Sequence, residues 1–194
     1  MLFSYSGIAW ATNSKSKEVR LIEEWPQREG TSNNPNSAKV PTLISPSDSS
    51  QWGFAAPDGA HEWFKILLDP DHFHIKELGE LSKFEITEAS AREAERDSQA
   101  FLRQLWLHAK ERISDALPKY NIFQNYDIKA VITVPAVWSD TAKERTRQIA
   151  IQAGLPLDLA IINEPEAAAI AVFRDLQERD KVQFKVYSPS SALQ

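Results

Sequence analysis

Apolar side chains recur along this chain with two different periods, and the change between them marks its best-defined segment. Leu102, Leu105, Trp106, Ala109, Ile113, Ala116 and Leu117 follow helical spacing, with one face to bury. Ser90 and Glu93 have the spacing of a capping box, and Pro118 stops the helix. The pattern then becomes IKAVITV over 128–134, a nearly continuous β-branched run that suits a central strand covered on both faces. Pro135 ends it. Ser139 or Asp140 caps a second helix that runs to about Ala153, ahead of Gly154 and Pro156. LAII, 159–162, reads as another buried strand, and Pro165 fits the first turn of a third helix, with Glu164 near its N-cap. The two strands are expected to be adjacent and parallel in a mixed sheet, joined by the helix after Ser139 in a right-handed crossover.

The first 86 residues are less periodic. Residues 3–10 alternate loosely and read as a strand; 19–25 read as a second, with TNSKSK as the polar turn between them. Residues 26–39, rich in Pro, Asn, Ser and Gly, read as a loop. Short strands are expected at 40–44 and 52–55, around the turn SPSDSS, and 56–86 carry only weak local signals.

Composition narrows the classes. At 194 residues, 42% hydrophobic and 25% charged, the chain can bury the core of one domain or one lobe. A net charge of −5 disfavours nucleic acid or an anionic membrane as partner. The absence of cysteine excludes disulfides and thiolate metal sites, and nothing suggests an oxidising compartment; a cytoplasmic location is expected. No apolar run is long enough to span a bilayer. The opening MLFSYSGIAWA has no positive charge before Lys15 and is broken by Ser4, Ser6 and Gly7, so it does not read as a signal peptide. Asp71, His72 and His74 lack a convincing further ligand and read as a polar loop, not a metal site. Trp106 reads as core, Trp25, Trp52 and Trp63 as exposed, and Lys143, Arg145 and Arg147 as a solvated helix face.

The corner IINEPEAAAI, 161–170, is the clearest candidate for chemistry. It sets Glu164 at the carboxyl end of a buried strand, the edge at which open α/β sheets hold ligands. Ala167, Ala168 and Ala169 let the helix approach its neighbours closely. A carboxylate there suits either of two roles: orienting a water, or a metal-bound water, beside a phosphate, or capping the helix, favoured by its dipole. Spacing alone leaves both open.

AVITVPAVWSDTAKERTRQIAIQAGL followed by AIINEPEAAAIAV resembles the nucleotide-binding domain of the seventy-kilodalton heat-shock protein family, in the actin-like ATPase superfamily. The V-P-A-x-W-x-D segment, the helix ending A-G-L and the I-N-E-P corner occur in the family's order and spacing over 130–173. SGIAWA near the start resembles the stretch just past the first phosphate loop in the divergent variants found in fungi. The resemblance implies an α/β fold: a ribonuclease-H-like lobe with a mixed sheet, its inner part at 1–43 and 126–180, a smaller α/β subdomain inserted at 44–125, and an atypical tail at 181–194. It implies magnesium-ATP or ADP as ligand and a chaperone context. Glu164 matches the carboxylate that positions magnesium-bound water, with no direct protein ligand to the metal. Lys65, in WFKILLDP, is the candidate for the lysine on the γ-phosphate; its plain alternative is a solvated lysine beside aromatic core residues. Ser4 and Tyr5 fall at the first phosphate loop. Pro135, Lys143 and Asp140 match a segment that couples nucleotide state to domain movement.

Three departures stand against that pattern. MLFS occupies the place of the family's acidic strand end and Gly-Thr-Thr turn; DKVQFKVYSPSSALQ occupies that of the second phosphate loop; Glu166 replaces the usual threonine. They imply a lobe deficient in hydrolysis by itself, or a degenerate module kept for protein contacts. The expected partners are a second lobe, a co-chaperone or another copy of the chain, met through the apolar helix Ala167, Ala168, Ala169, Ile170, Ala171, Val172 and Phe173, unless KVQFKVY folds back over it.

Overall fold

A computed structural model describes residues 4–13, 18–28, 37–69 and 87–180. The strand expected over 3–10 is split into β1, Tyr5–Ser6, and β2, Ala9–Ala11. Gly7 separates them. A side chain there would have its Cβ 2.8 Å from the Ala38 carbonyl oxygen, so the close approach of the two backbones requires glycine. β2 forms an antiparallel hairpin with β3, Val19–Leu21, while β1 pairs antiparallel with β4, Val40–Pro41.

No strand forms over 52–55. Gly53 adopts φ +60°, its missing Cβ leaves room for Val40 Cγ2, and Gly53–Ala55 closes a short 3₁₀ turn. That turn sends Trp52 inward. Trp25 and Trp52, expected at the surface, are 5% and 3% exposed and form one core with Val40, Ile44, Phe64 and Phe101. Trp52 meets Trp25 and Phe101 edge-on, with ring centroids 6.2 and 5.8 Å apart, a favoured aromatic geometry. His108 stacks on Trp25 and hydrogen-bonds the Glu24 carbonyl at 2.7 Å. Trp106 packs against this core, edge-on to Phe123.

Phe101 comes from α1, Glu88–Ala116, which is capped three residues earlier than its sequence suggests. Thr87 is the N-cap: its Oγ1 accepts from the Ser90 N–H at 3.1 Å, and Ser90 Oγ accepts from the Thr87 N–H at 2.8 Å. Serine takes the role expected of Glu93. A short α2, Ile122–Asn125, follows.

The C-terminal unit runs β5, Ala130–Val134; α3, Asp140–Gln152; β6, Leu159–Asn163; α4, Glu164–Asp180. β5 and β6 pair in parallel, from Ala130 opposite Leu159 to Val134 opposite Asn163, with α3 as the crossover, as the hydrophobic pattern predicts. Two expectations fail here. β5 is covered on one face only, with Val134 1% exposed and Val131 58%. And among the described residues the strands pair as three two-stranded ladders, two antiparallel and one parallel, not as a single mixed sheet. A second core, of Leu68, Val134, Trp138, Ala142 and Ile149, lies beneath α3. The result is a mixed α/β architecture in which the carboxyl ends of β5 and β6 stop side by side.

Candidate functional site

The chain passes from β6 directly into α4, so Glu164 is the first helical residue and Pro165 the second. Proline is tolerated there because the first N–H groups of a helix have no partner within it. The capping bond comes from Glu166, whose Oε2 accepts from the Asn163 N–H at 3.1 Å. The Glu164 carboxylate stays exposed beside it. The Oδ1 of Asn163 is buried and has no hydrogen-bond partner among the described residues, an orphan acceptor one residue from Glu164.

Lys65 arrives from a distant part of the sequence. It precedes a 3₁₀ turn, Ile66–Leu68, and is half-buried. Burial pushes its ammonium below the ordinary lysine value, and the Glu164 carboxylate pulls it partly back up. The fold thus brings Lys65 and Glu164, 99 positions apart in sequence, into one electrostatic neighbourhood.

Pro135 opens the β5–α3 connection, and Asp140 and Lys143 lie in the first turn of α3. The Trp138 N–H donates to the Pro135 carbonyl at 3.2 Å, Ser139 Oγ caps α3 by accepting from the Ala142 N–H at 3.1 Å, and Lys143 Nζ lies 3.5 Å from Asp140 Oδ1. The basic face of α3 is not merely solvated, as its sequence suggests. Arg145 Nη1 donates to the Leu68 carbonyl at 2.8 Å and its Nε lies 3.2 Å from Glu95, while Arg147 donates to the Leu159 carbonyl. Ser4 and Tyr5 are held by β4: the Ser4 carbonyl accepts from the Thr42 N–H at 2.8 Å, and Tyr5 pairs with Pro41.

Sequence reasoning missed Asp69. It is 2% exposed, and its carboxylate accepts from both the Ser139 N–H, at 2.7 Å, and the Ser139 Oγ–H, at 2.9 Å. The available signal was an aspartate closing an apolar run, Ile66 to Leu68, where a carboxylate needs a dedicated partner to be buried. Asp71, His72 and His74 lie outside the described residues. Among the described residues there is no group of three histidine, aspartate or glutamate side chains that could hold a metal directly.

Residues 117–185 match the family model described as Hsp70 protein, covering α2, β5, α3, β6 and α4. The chain is Hsp70-like. It is 29% identical over 184 residues to human Heat shock 70 kDa protein 12A, a match covering 85% of this chain and 26% of that protein, and it matches the mouse protein of the same name at 29% over 183 residues. Against Chaperone protein DnaK of Carsonella ruddii (strain PV), identity rises to 46% over 54 residues, 28% of this chain and 9% of DnaK. The chain therefore spans 26% of the length of the two 12A relatives.

Proposed function

We propose that this chain supplies one lobe of a magnesium–nucleotide site of the Hsp70 type, with Lys65 and Glu164 at its phosphate edge. One observation carries the reading. Lys65, from WFKILLDP, lies within the electrostatic reach of Glu164, from IINEPEAAAI, and Glu164 stands at the carboxyl end of a parallel strand pair. The donor set fits the ligand: a half-buried ammonium for phosphate, an exposed carboxylate for magnesium-bound water, and the unpaired Asn163 Oδ1 beside it. Magnesium, when bound, would neutralise phosphate charge; Lys65 would bind the terminal phosphate, and Glu164 would orient water. In this reading 1–43 and 126–180 form the inner part of a ribonuclease-H-like lobe and 44–125 the inserted part. Pro135, Asp140 and Lys143 form the switch segment, and the setting is a cytoplasmic chaperone.

The same reading makes these 194 residues poor at hydrolysis by themselves. Ser4 and Tyr5 stand in place of a Gly-Thr-Thr turn, and their backbone is engaged, the Ser4 carbonyl by the Thr42 N–H and Tyr5 by Pro41. Few preorganised amides remain for phosphate, and catalysis of phosphoryl transfer depends on such positioning.

The alternative is a non-enzymatic interaction module, favoured by the exposed apolar face of α4, where Ile170 and Val172 are both more than half exposed. In the first reading the rest of a relative-length protein covers that face, in keeping with the 26% of the 12A relatives that the chain spans. Calorimetric titration with magnesium-ATP separates the two. The nucleotide reading expects saturable binding that weakens about tenfold or more in Lys65→Ala, the loss of a charge-assisted contact. Turnover should not exceed that of Glu164→Ala; turnover that depends on Glu164 would overturn the expected deficiency. Absence of binding, together with self-association in sedimentation that Ile170→Asp abolishes, would establish the interaction module instead.

A further inference from the structure

Lys65 has no regular element to hold it. It lies between Trp63, whose backbone is left-handed at φ +62°, and a single 3₁₀ turn, Ile66–Leu68. One turn of that kind has little stability of its own. Something outside the segment must therefore fix where the ammonium points.

The segment is held from both sides: Phe64, just before Lys65, is buried against Phe101 of α1, and the polar contacts just past Lys65 lead to α3. Leu68 is buried against Val134, Trp138, Ala142 and Ile149, and its carbonyl accepts from Arg145 Nη1 at 2.8 Å. Arg145 is itself braced by Glu95 of α1. Asp69 then engages Ser139 with both carboxylate oxygens, at 2.7 and 2.9 Å. The Ser139 hydroxyl is fully committed: its proton goes to Asp69, and its oxygen accepts from Ala142 at the start of α3. Ser139 lies four residues beyond Pro135, at the end of the loop leaving β5, whose last residue pairs with Asn163 beside Glu164. The path from Lys65 to Glu164 thus runs through Asp69, Ser139 and the ends of two paired strands.

We infer that Asp69 is a positioning residue: by clamping Ser139 it sets Lys65 against Glu164, and it ties Lys65 to the start of α3, where Asp140 and Lys143 follow Ser139. This rests on the reading of Lys65 and Glu164 as the phosphate edge. A plain helix cap would need only one of Asp69's two bonds, and Ser139 already caps α3.

The test is the state of Lys65 in the intact chain without nucleotide. Acylation of each lysine by a small amine reagent, followed peptide by peptide across pH, reports the midpoint at which Lys65 loses its proton. In Asp69→Asn, of nearly the same shape but without the second acceptor, Lys65 should come away from its half-buried seat. Its midpoint should then move up toward that of the exposed lysines, and Ser139→Ala, which removes only the hydroxyl bond, should give a smaller shift in the same direction. Thr87→Ala, which weakens the cap of α1, should lower the melting temperature and leave the Lys65 midpoint in place. An unchanged midpoint in folded Asp69→Asn overturns the inference; if that variant does not fold, an unchanged midpoint in Ser139→Ala does so. Because no nucleotide is present, this result is independent of calorimetry: absent ATP binding with a shifted midpoint refutes the nucleotide reading and keeps the clamp, and the converse pattern does the reverse.

Discussion

The aromatic core around Trp52 and the strand–helix unit around β6 make opposite use of apolar residues. In the first, loops and short strands with little periodicity close over a cluster of rings, and Trp25, Trp52, Phe64 and Phe101 are almost entirely hidden. In the second, strongly periodic segments form regular elements, yet Val131, Val137, Ile170, Val172 and Phe173 remain at the surface. Regularity of pattern and completeness of burial have come apart. The irregular region hides its rings and leaves Tyr5, Val19 and Leu21 exposed at its edge; the regular one, which carries the Hsp70 match, leaves one side open among the described residues.

Substitutions can sharpen or break that contrast. The largest effect belongs to the closed core: Trp52→Ala should cost about 3–5 kcal/mol of unfolding free energy in a denaturant titration. A loss under about 1 kcal/mol would mean that the rings are not the main support of the N-terminal half. Next comes the two-faced strand. Val134→Ala should cost about 2 kcal/mol and Val131→Ala less than about 0.5 kcal/mol, because only the first empties a packed site. Equal costs would show that the outer face of β5 is covered in solution. Thr87→Ala should follow at about 1 kcal/mol, the usual worth of an N-cap.

Two smaller effects concern charge. Burial pushes the Asp97 carboxyl above its ordinary value, against the opposing pull of His61, which is hydrogen-bonded to it at 2.8 Å. A raised carboxyl contributes stability that is full below the unfolded value and is lost as pH rises through the folded one. The wild-type chain should therefore lose a little stability over that interval, and Asp97→Asn should lack this component when melting is followed across pH. Lys65 is shifted the other way. Its contribution is full only above the ordinary lysine value and is lost as pH falls through the lowered one, so at neutral pH its charge opposes folding. Lys65→Met should raise the melting temperature slightly at pH 7, and a lowered one would show that the ammonium is better paired than its burial suggests.

Much of the C-terminal half could be read from the chain. The change from helical to strand period at Ile128, the stop at Pro135 and the proline in the first turn after Glu164 each express local physics, and each element is present. The first half was harder because its decisive facts are non-local. Gly53 and Gly7 are dictated by neighbours, Val40 and Ala38, far off in sequence. The burial of Trp25 and Trp52 depends on rings supplied by α1 and on each other. At the candidate site, the corner around Glu164 was legible, since strand, proline and helix follow one another without interruption. Asp69 was not, because its partner Ser139 is 70 positions away. The division between Glu164 and Glu166 also escaped pattern, since two glutamates flanking a proline look alike until one of them bonds Asn163.

α1 carries a further consequence. At 29 residues it is about 43 Å long, and neighbouring positions on it belong to different cores: Phe101 lies in the aromatic cluster, while Leu102 packs against the cluster beneath α3. A single rigid beam is thus shared by both halves, and neither can lose its packing without loosening the beam the other rests on. The two cores should therefore melt as one cooperative transition, with the hairpin at the amino end and the β6–α4 corner at the carboxyl end held to a common fate.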